Sequence, residues 1–252
     1  MRKLKDNWEF NVLGVYNYNA PGKLEHYYQW IIDNHNSIDG DILEAGVFNG
    51  KSLLATALLL KELNSDKKVY GFDSFSGFPP VYHKNDNLEV FKELFEKKII
   101  TKKHYKAHKK LKKYRSLIHD SRIDVKNISS SIDFSNSSQE KLVKKINLLG
   151  LDNIVHVKGN FEETMLNNKY PNLKLMAALM DCDLYSSYKI ALPYIWKRLE
   201  LNGYIYLDEY YSLKFSGARI ATNEFVENKN SKPEMYHKKS GEFERWYLIK
   251  DD

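Results

Sequence analysis

The chain has 252 residues, 42% apolar and 29% charged, which excludes a disordered chain and gives enough length to bury one large core. No run reaches the roughly 18 apolar residues that a membrane-spanning helix needs, and the lone cysteine, Cys182, excludes an internal disulfide and suits a reducing cytoplasm. The formal charge of +6 is local: residues 101–115 hold eight Lys or Arg, two His and no acid, while elsewhere the two signs nearly balance.

No apolar run follows the basic residues behind Met1, so no secretory leader is expected. Residues 1–40 read as a helical, aromatic-rich cap. Within it, 24–34 forms a helix with Tyr27, Tyr28, Trp30, Ile31 and Ile32 on its apolar side. A buried strand at 41–47, a Leu- and Ala-rich helix at 51–64 and a second strand at 69–73 follow. Residues 82–138 break the rhythm: a helix at 88–100, the basic run, then a Ser/Asn-rich stretch from 127 to 138. With too few apolar residues for its own core, this segment reads as an insertion that forms a lid, not a second domain.

A helix at 139–149 ends at Gly150, a C-cap. Strands at 154–157, 175–181 and 203–208 alternate with helices at 188–199 and 217–227. The chain closes with strands at 234–239 and 243–249 around a tight turn at Ser240 and Gly241. Five apolar strands alternating with helices imply a parallel sheet covered on both faces, with an antiparallel hairpin at its edge. The whole chain, 1–252, reads as one α/β domain.

Ligands of such sheets bind beyond the carboxyl ends of the strands. The first strand runs into Gly46 and Gly50, glycines that let backbone approach a ligand, before a helix N-terminus with free N–H donors. The spacing matches neither GxGxxG nor a Walker loop, so a pyrophosphate ligand is disfavoured. Asp73 ends the second strand, where a carboxylate can accept two hydrogen bonds from ribose hydroxyls. Asp181 and Asp183 end the fourth strand, and Asp208 and Glu209 the fifth. Carboxylates gathered at neighbouring strand ends repel unless a cation neutralises them, and all-oxygen ligation suits Mg2+, Mn2+ or Ca2+. Cys182, between two acids, reads as a packing residue because its neighbours disfavour a thiolate.

These pieces, in order, resemble the macrocin O-methyltransferase family, a branch of the class I S-adenosylmethionine-dependent methyltransferases: DILEAGVFNGKS at 41–52, YGFDSFSGFPP at 70–80, VKGNFEET at 157–164, MDCDLYSS at 180–187, GYIYLDEY at 203–210 and GARIATNEF at 217–225. The resemblance implies a Rossmann-like three-layer sandwich with a mostly parallel seven-stranded sheet, the last strand inserted antiparallel. It implies that Glu44, Gly46 and Ser52 line the methionine end of S-adenosyl-L-methionine, with Ala45, Asn49 and Gly50 in the same turn. Asp73, with Ser74 beside it, would hold the ribose, and Asn160 and Phe161 would lie near the adenine. Asp181, Asp208 and Glu209 would bind Mg2+ (or Mn2+), and Asp181 would touch the cofactor and serve as candidate base. The family usually reads Asp-Asp where this chain has Asp208 and Glu209.

The expected activity is metal-assisted O-methylation of a hydroxyl on a sugar or other small molecule, nucleotide-linked or part of a polysaccharide or natural product. A metal that touches the oxygen lowers its pKa, and in-line placement of the methyl supplies much of the rate. Homodimers are common in the family. The basic segment suggests two further readings: selection of a phosphate-bearing acceptor through Lys109, Lys110, Lys112 and Lys113, or an RNA methyltransferase. Acid clusters would repel RNA phosphates, so nucleic acid is disfavoured. A non-catalytic member of the fold is the remaining alternative.

Overall fold

Alternation of side chains along the first strand, β1 (Asp41–Ala45), divides the molecule into layers: Ile42 joins the apolar cluster on one face of the sheet and Leu43 the cluster on the other, both fully buried. A strand buried on both sides must be covered on both sides, and helices do so here. These relations come from a computed structural model that describes residues 3–119, 122–236 and 243–251. The further strands are β2 (Val69–Asp73), β3 (Ile154–Lys158), β4 (Leu175–Met180), β5 (Leu199–Leu207), β6 (Glu234–Tyr236) and β7 (Arg245–Ile249). Their order is β3-β2-β1-β4-β5-β7-β6; β1 to β5 run parallel and β7 lies antiparallel between β5 and β6. The hairpin turn expected at Ser240 and Gly241 lies outside the described residues.

One face carries α2 (Glu25–Asn34), α3 (Lys51–Glu62) and α6 (Gln139–Leu149). Every residue of α3 from Ser52 to Leu60 is buried, which accounts for the long apolar run in its sequence. Helix α6 begins at Ser138, whose side chain accepts from the Lys141 N–H, and ends at Gly150 in the left-handed region. The segment before α2 also holds α1 (Asn7–Leu13), built on a reciprocal capping box between Asp6 and Glu9 and closed by left-handed Gly14. The opposite face carries α7 (Tyr185–Arg198) and α8 (Gly217–Val226).

Sequence order reverses between β1 and β4, so the crevice opens beyond their carboxyl ends. The segment at 82–138 adds α4 (Val90–Glu96) and α5 (Lys102–Ile118). Its two small apolar clusters borrow Leu184, Phe215 and Ile220 from the rest of the domain. Buried polar contacts tie it down. Asp86 Oδ1 accepts from the Tyr185 N–H at 2.9 Å, and Ser216 Oγ donates to the Asn85 carbonyl at 2.8 Å. On α5, His104 and His108 turn inward one helical turn apart and bond the Ser212 and Leu213 carbonyls at 2.8 Å each. His108 also stacks on Phe91 with 3.9 Å between ring centres.

Burial drives the His104 imidazole down to about 4, against its bond to Ser212. Between that value and the ordinary histidine range the unfolded chain binds the proton and the folded chain does not. Stability therefore rises with pH through this window and is lost as pH falls. Moving from pH 7 to pH 5 should cost about 1–2 kcal/mol through this residue. His104→Gln keeps a donor for the Ser212 carbonyl but cannot titrate, so its urea-unfolding stability should fall less between the two pH values than that of the parent.

Candidate active site

The cleft beyond β1 and β4 encloses about 1010 Å³. Its floor is the turn after β1, where Gly46, Phe48 and Gly50 all have positive φ, at 91°, 49° and 75°. A Cβ on Gly46 would lie 1.9 Å from the Asp181 carbonyl oxygen, and one on Gly50 would lie 2.4 Å from Leu142 Cδ1. The glycines thus answer to the protein's own packing: Gly46 lets the exit of β1 touch the exit of β4. Gly50 opens α3 without a side-chain cap, and Lys51 and Ser52 of its first turn line the cleft.

Asp73 braces this turn. Its Oδ2 accepts from the Val47 and Phe48 N–H groups at 2.8 Å each and its Oδ1 from the Phe75 N–H at 2.6 Å. An ionised carboxylate has about four acceptor positions. Three of these are taken by backbone N–H groups of the protein itself.

Gly46, Asn49, Ser52, Asp73, Ser74 and Asp181 line the cleft, and Asn160 and Phe161 close its far side. Glu44, Ala45 and Gly50 are not among the lining residues. Ala45 is fully buried in the cluster under the sheet, because strand alternation turns it away from the cleft. Glu44 is buried and accepts from Ser52 Oγ at 2.7 Å, while its Oε2 has no partner among the described residues. Burial pushes its carboxyl well up, more than the Ser52 bond and Lys23 bring it down.

The acids after β4 and β5 meet at the centre. Asp181, Asp208 and Glu209 each offer an oxygen within 4.8 Å of the others. Glu209 is fixed by the Tyr188 hydroxyl, which donates to Oε2 at 2.8 Å. Burial, then repulsion from Asp181, Asp183 and Asp208, lifts the Glu209 carboxyl well up. Asp183 lines the cleft but stands apart from the three, in the left-handed region at φ 60°. Burial, then its acidic neighbours, holds the Cys182 thiol well up, as befits packing.

The cation beside these acids was not legible in the sequence. Lys23, just before α2, places Nζ 3.0 Å from Asp208 Oδ2 and 3.4 Å from Asp181 Oδ2. Burial opposes its charge, but the two carboxylates outweigh that and hold the ammonium well above the usual lysine range. Burial would likewise raise Asp208, yet Lys23 holds it below the usual carboxylate range. Asp208 Oδ1 is buried without a partner among the described residues. Oxygens around one small divalent ion with bonds of about 2.1 Å lie at most about 4.2 Å apart. With a closing of the three acids onto the ion, the orphaned oxygen and the oxygen-only donor set fit such an ion.

The remaining lining includes the aromatic rings of Phe78, Tyr82, Phe134 and Phe215 and the hydroxyls of Ser129 and Ser131, beside Pro79, Pro80 and Val81. Helix α5 contributes Leu111 alone. Lys109, Lys110 and Lys113 are exposed, and Lys112 pairs with Glu89 at 2.9 Å. None of these four lysines lines the cleft; with His104 and His108 turned inward, they lie toward the outside of α5.

A seven-stranded sheet in this order, with a glycine turn after β1, an acid ending β2 and acids ending β4 and β5, defines a class I S-adenosylmethionine-dependent methyltransferase. The profile of the macrocin-O-methyltransferase (TylF) family matches residues 23–114 and 112–239, and the chain belongs to that family. It is accordingly an S-adenosylmethionine-dependent O-methyltransferase. Solved structures agree on the fold. The O-methyltransferase NovP superposes with a TM-score of 0.62 at 19% identity, over 91% of this chain and 80% of that one. The calicheamicin methyltransferase CalS11 gives 0.62 at 18% identity, over 98% and 81%. Its apo form, described as a TDP-rhamnose 3'-O-methyltransferase, gives 0.53 at 19% identity, over 90% and 79%. No curated protein matches the chain. No helix among the described residues is long and apolar enough to cross a membrane.

Gly46→Ala should destabilise the fold by about 3 kcal/mol or more, since strain at positive φ adds to a clash with backbone that cannot move aside. It should also weaken S-adenosylhomocysteine binding by calorimetry. A variant with unchanged melting and unchanged affinity would show that β1 and β4 can part without consequence.

Proposed function

We propose that this enzyme methylates a hydroxyl of a sugar or similarly hydroxylated small molecule, with a divalent cation held by Asp181, Asp208 and Glu209. The supporting observation is the meeting of the three carboxylates beside the turn after β1, where the Asp181 carbonyl packs against Gly46. On the donor side, the uncapped N-terminus of α3 would receive the methionine carboxylate of S-adenosylmethionine. Asp73 would take one ribose hydroxyl, and Asn160 and Phe161 would flank the adenine. On the acceptor side, aromatic rings suit the apolar face of a sugar and the serine hydroxyls its polar edge. The CalS11 description, as a methyltransferase of TDP-rhamnose, lends this acceptor class support.

A bound Mg2+ or Mn2+ supplies Lewis acidity that lowers the pKa of an oxygen it touches. The chain's own residues supply placement. Asp181, whose backbone packs against the Gly46 turn and whose side chain lines the cleft, is the proposed proton acceptor. Lys23 is held protonated by its carboxylate partners and does not suit that role. Tyr188 fixes Glu209, the longer side chain where relatives carry aspartate, so that it reaches the site from a buried position. Residues 82–138 would cover the acceptor, and the protein would work in the cytoplasm.

Asp208→Asn should lower kcat by about 100-fold or more while leaving the S-adenosylhomocysteine Kd within about threefold, because the residue lies on the acceptor side. Chelation should mimic the variant, and added Mg2+ should restore the parent only. Full activity in a chelator would sink the metal reading and leave the methyltransferase assignment standing.

A further inference from the structure

The Lys23 ammonium sits where a metal's charge would be needed, touching two of its three candidate ligands. We propose that Lys23 is a resident counter-cation that holds the acid site together when no metal is bound and must withdraw for a divalent ion to enter; this rests on the metal reading above.

Three features carry it. First, the backbone at Lys23 is anchored while the side chain has room to move. The Tyr206 hydroxyl donates to the Lys23 carbonyl at 2.8 Å, two residues before Asp208 on β5, and the next residue, Leu24, is buried in the core. The Lys23 side chain is 27% exposed and lines the open cleft, so its flexible stem can swing out without unfolding the cap. Second, Nζ engages Oδ2 of both Asp181 and Asp208, while Oδ1 of Asp208 is left buried without a partner. One ammonium satisfies only part of this oxygen set; an ion with six or more ligand positions would satisfy more of it. Third, the two cations exclude each other. An ammonium a few ångströms from a divalent ion is strongly repelled in a partly buried site, so occupancy by one is bought with departure of the other. The Tyr16 ring, 5.7 Å from Lys23 Nζ, adds a cation–π contact to the ammonium where it now sits.

Two consequences of opposite sign distinguish this role from plain stabilisation. Without metal, Lys23→Met should leave the acids uncompensated and lower Tm. With metal, the same variant should bind more tightly, because nothing has to be displaced. We expect Lys23→Met to bind Mn2+ at least tenfold more tightly than the parent, read from free Mn2+ by electron paramagnetic resonance, with a correspondingly larger Mn2+-induced rise in Tm. In the parent, acylation of Lys23 by an amine-reactive reagent, followed by mass spectrometry, should increase several-fold when Mn2+ is added; this readout needs no variant to fold. Equal or weaker Mn2+ binding by Lys23→Met, or unchanged labelling of Lys23 in Mn2+-saturated parent, would overturn the inference. If the parent still binds Mn2+ and Asp208→Asn does not, the metal reading survives that failure. Absence of Mn2+ binding in both the parent and Lys23→Met would overturn the two together.

Discussion

The chemistry of this enzyme depends on one backbone contact. Gly46 leaves β1 against the carbonyl of Asp181, with no room for a side chain between them. The Asp181 N–H donates to the Ala45 carbonyl at 2.9 Å and the Gly46 N–H to the Phe72 carbonyl at 2.9 Å, so the turn is gripped by β4 on one side and β2 on the other. Asp73 then fastens the next two N–H groups. The glycine turn after β1 and the acids after β4 are therefore neighbours by construction, joined through bonds that cannot lengthen without breaking the sheet.

Such closeness has an electrostatic cost, and the protein meets it with a different device at each acid. Glu44 is shielded by Ser52 and raised by burial. Glu209 leans on the Tyr188 hydroxyl, with the Asp183 N–H at 3.4 Å. Asp181 and Asp208 share Lys23. Buried ion pairs of this kind seldom add net stability, because desolvation consumes most of the Coulombic gain. A fold under no other demand would do as well with apolar residues at these strand ends, so the acids are best understood through what they hold.

Much of this was legible in the sequence, and the division has a physical basis. Strands buried on both faces appear as unbroken apolar runs, so β1, β2 and β4 could be placed within two residues. Local caps were equally plain: Gly150 marks the end of α6 because only a left-handed residue closes it that way. What stayed hidden was non-local. Helix α7 begins at Tyr185, not at 188, and its Tyr185 N–H is taken by Asp86, 99 residues earlier. Glycine spacing suggested ligand contact but could not reveal that Gly46 is required by Asp181. Lys23 lies 158 residues from one of its carboxylates and 185 from the other, and no local pattern marks it.

The same distinction governs the positive charge, the most conspicuous feature of the composition. A run of lysines suggests an anionic ligand, but the side chains that decide where α5 points are His104, His108 and Leu111, which face inward and turn the lysines outward. The cleft has its own charges, six acids (Asp73, Glu162, Asp181, Asp183, Asp208 and Glu209) against Lys23, Lys51, Lys214 and Arg245. Beside them stand the rings of Phe78, Tyr82, Phe134 and Phe215 and the hydroxyls of Ser129 and Ser131. A sugar acceptor placed there, as proposed above, would be selected by stacking and hydrogen bonding. The net charge of this chain thus describes its outer surface, and the proposed preference for a sugar hydroxyl follows from the small number of residues that face inward.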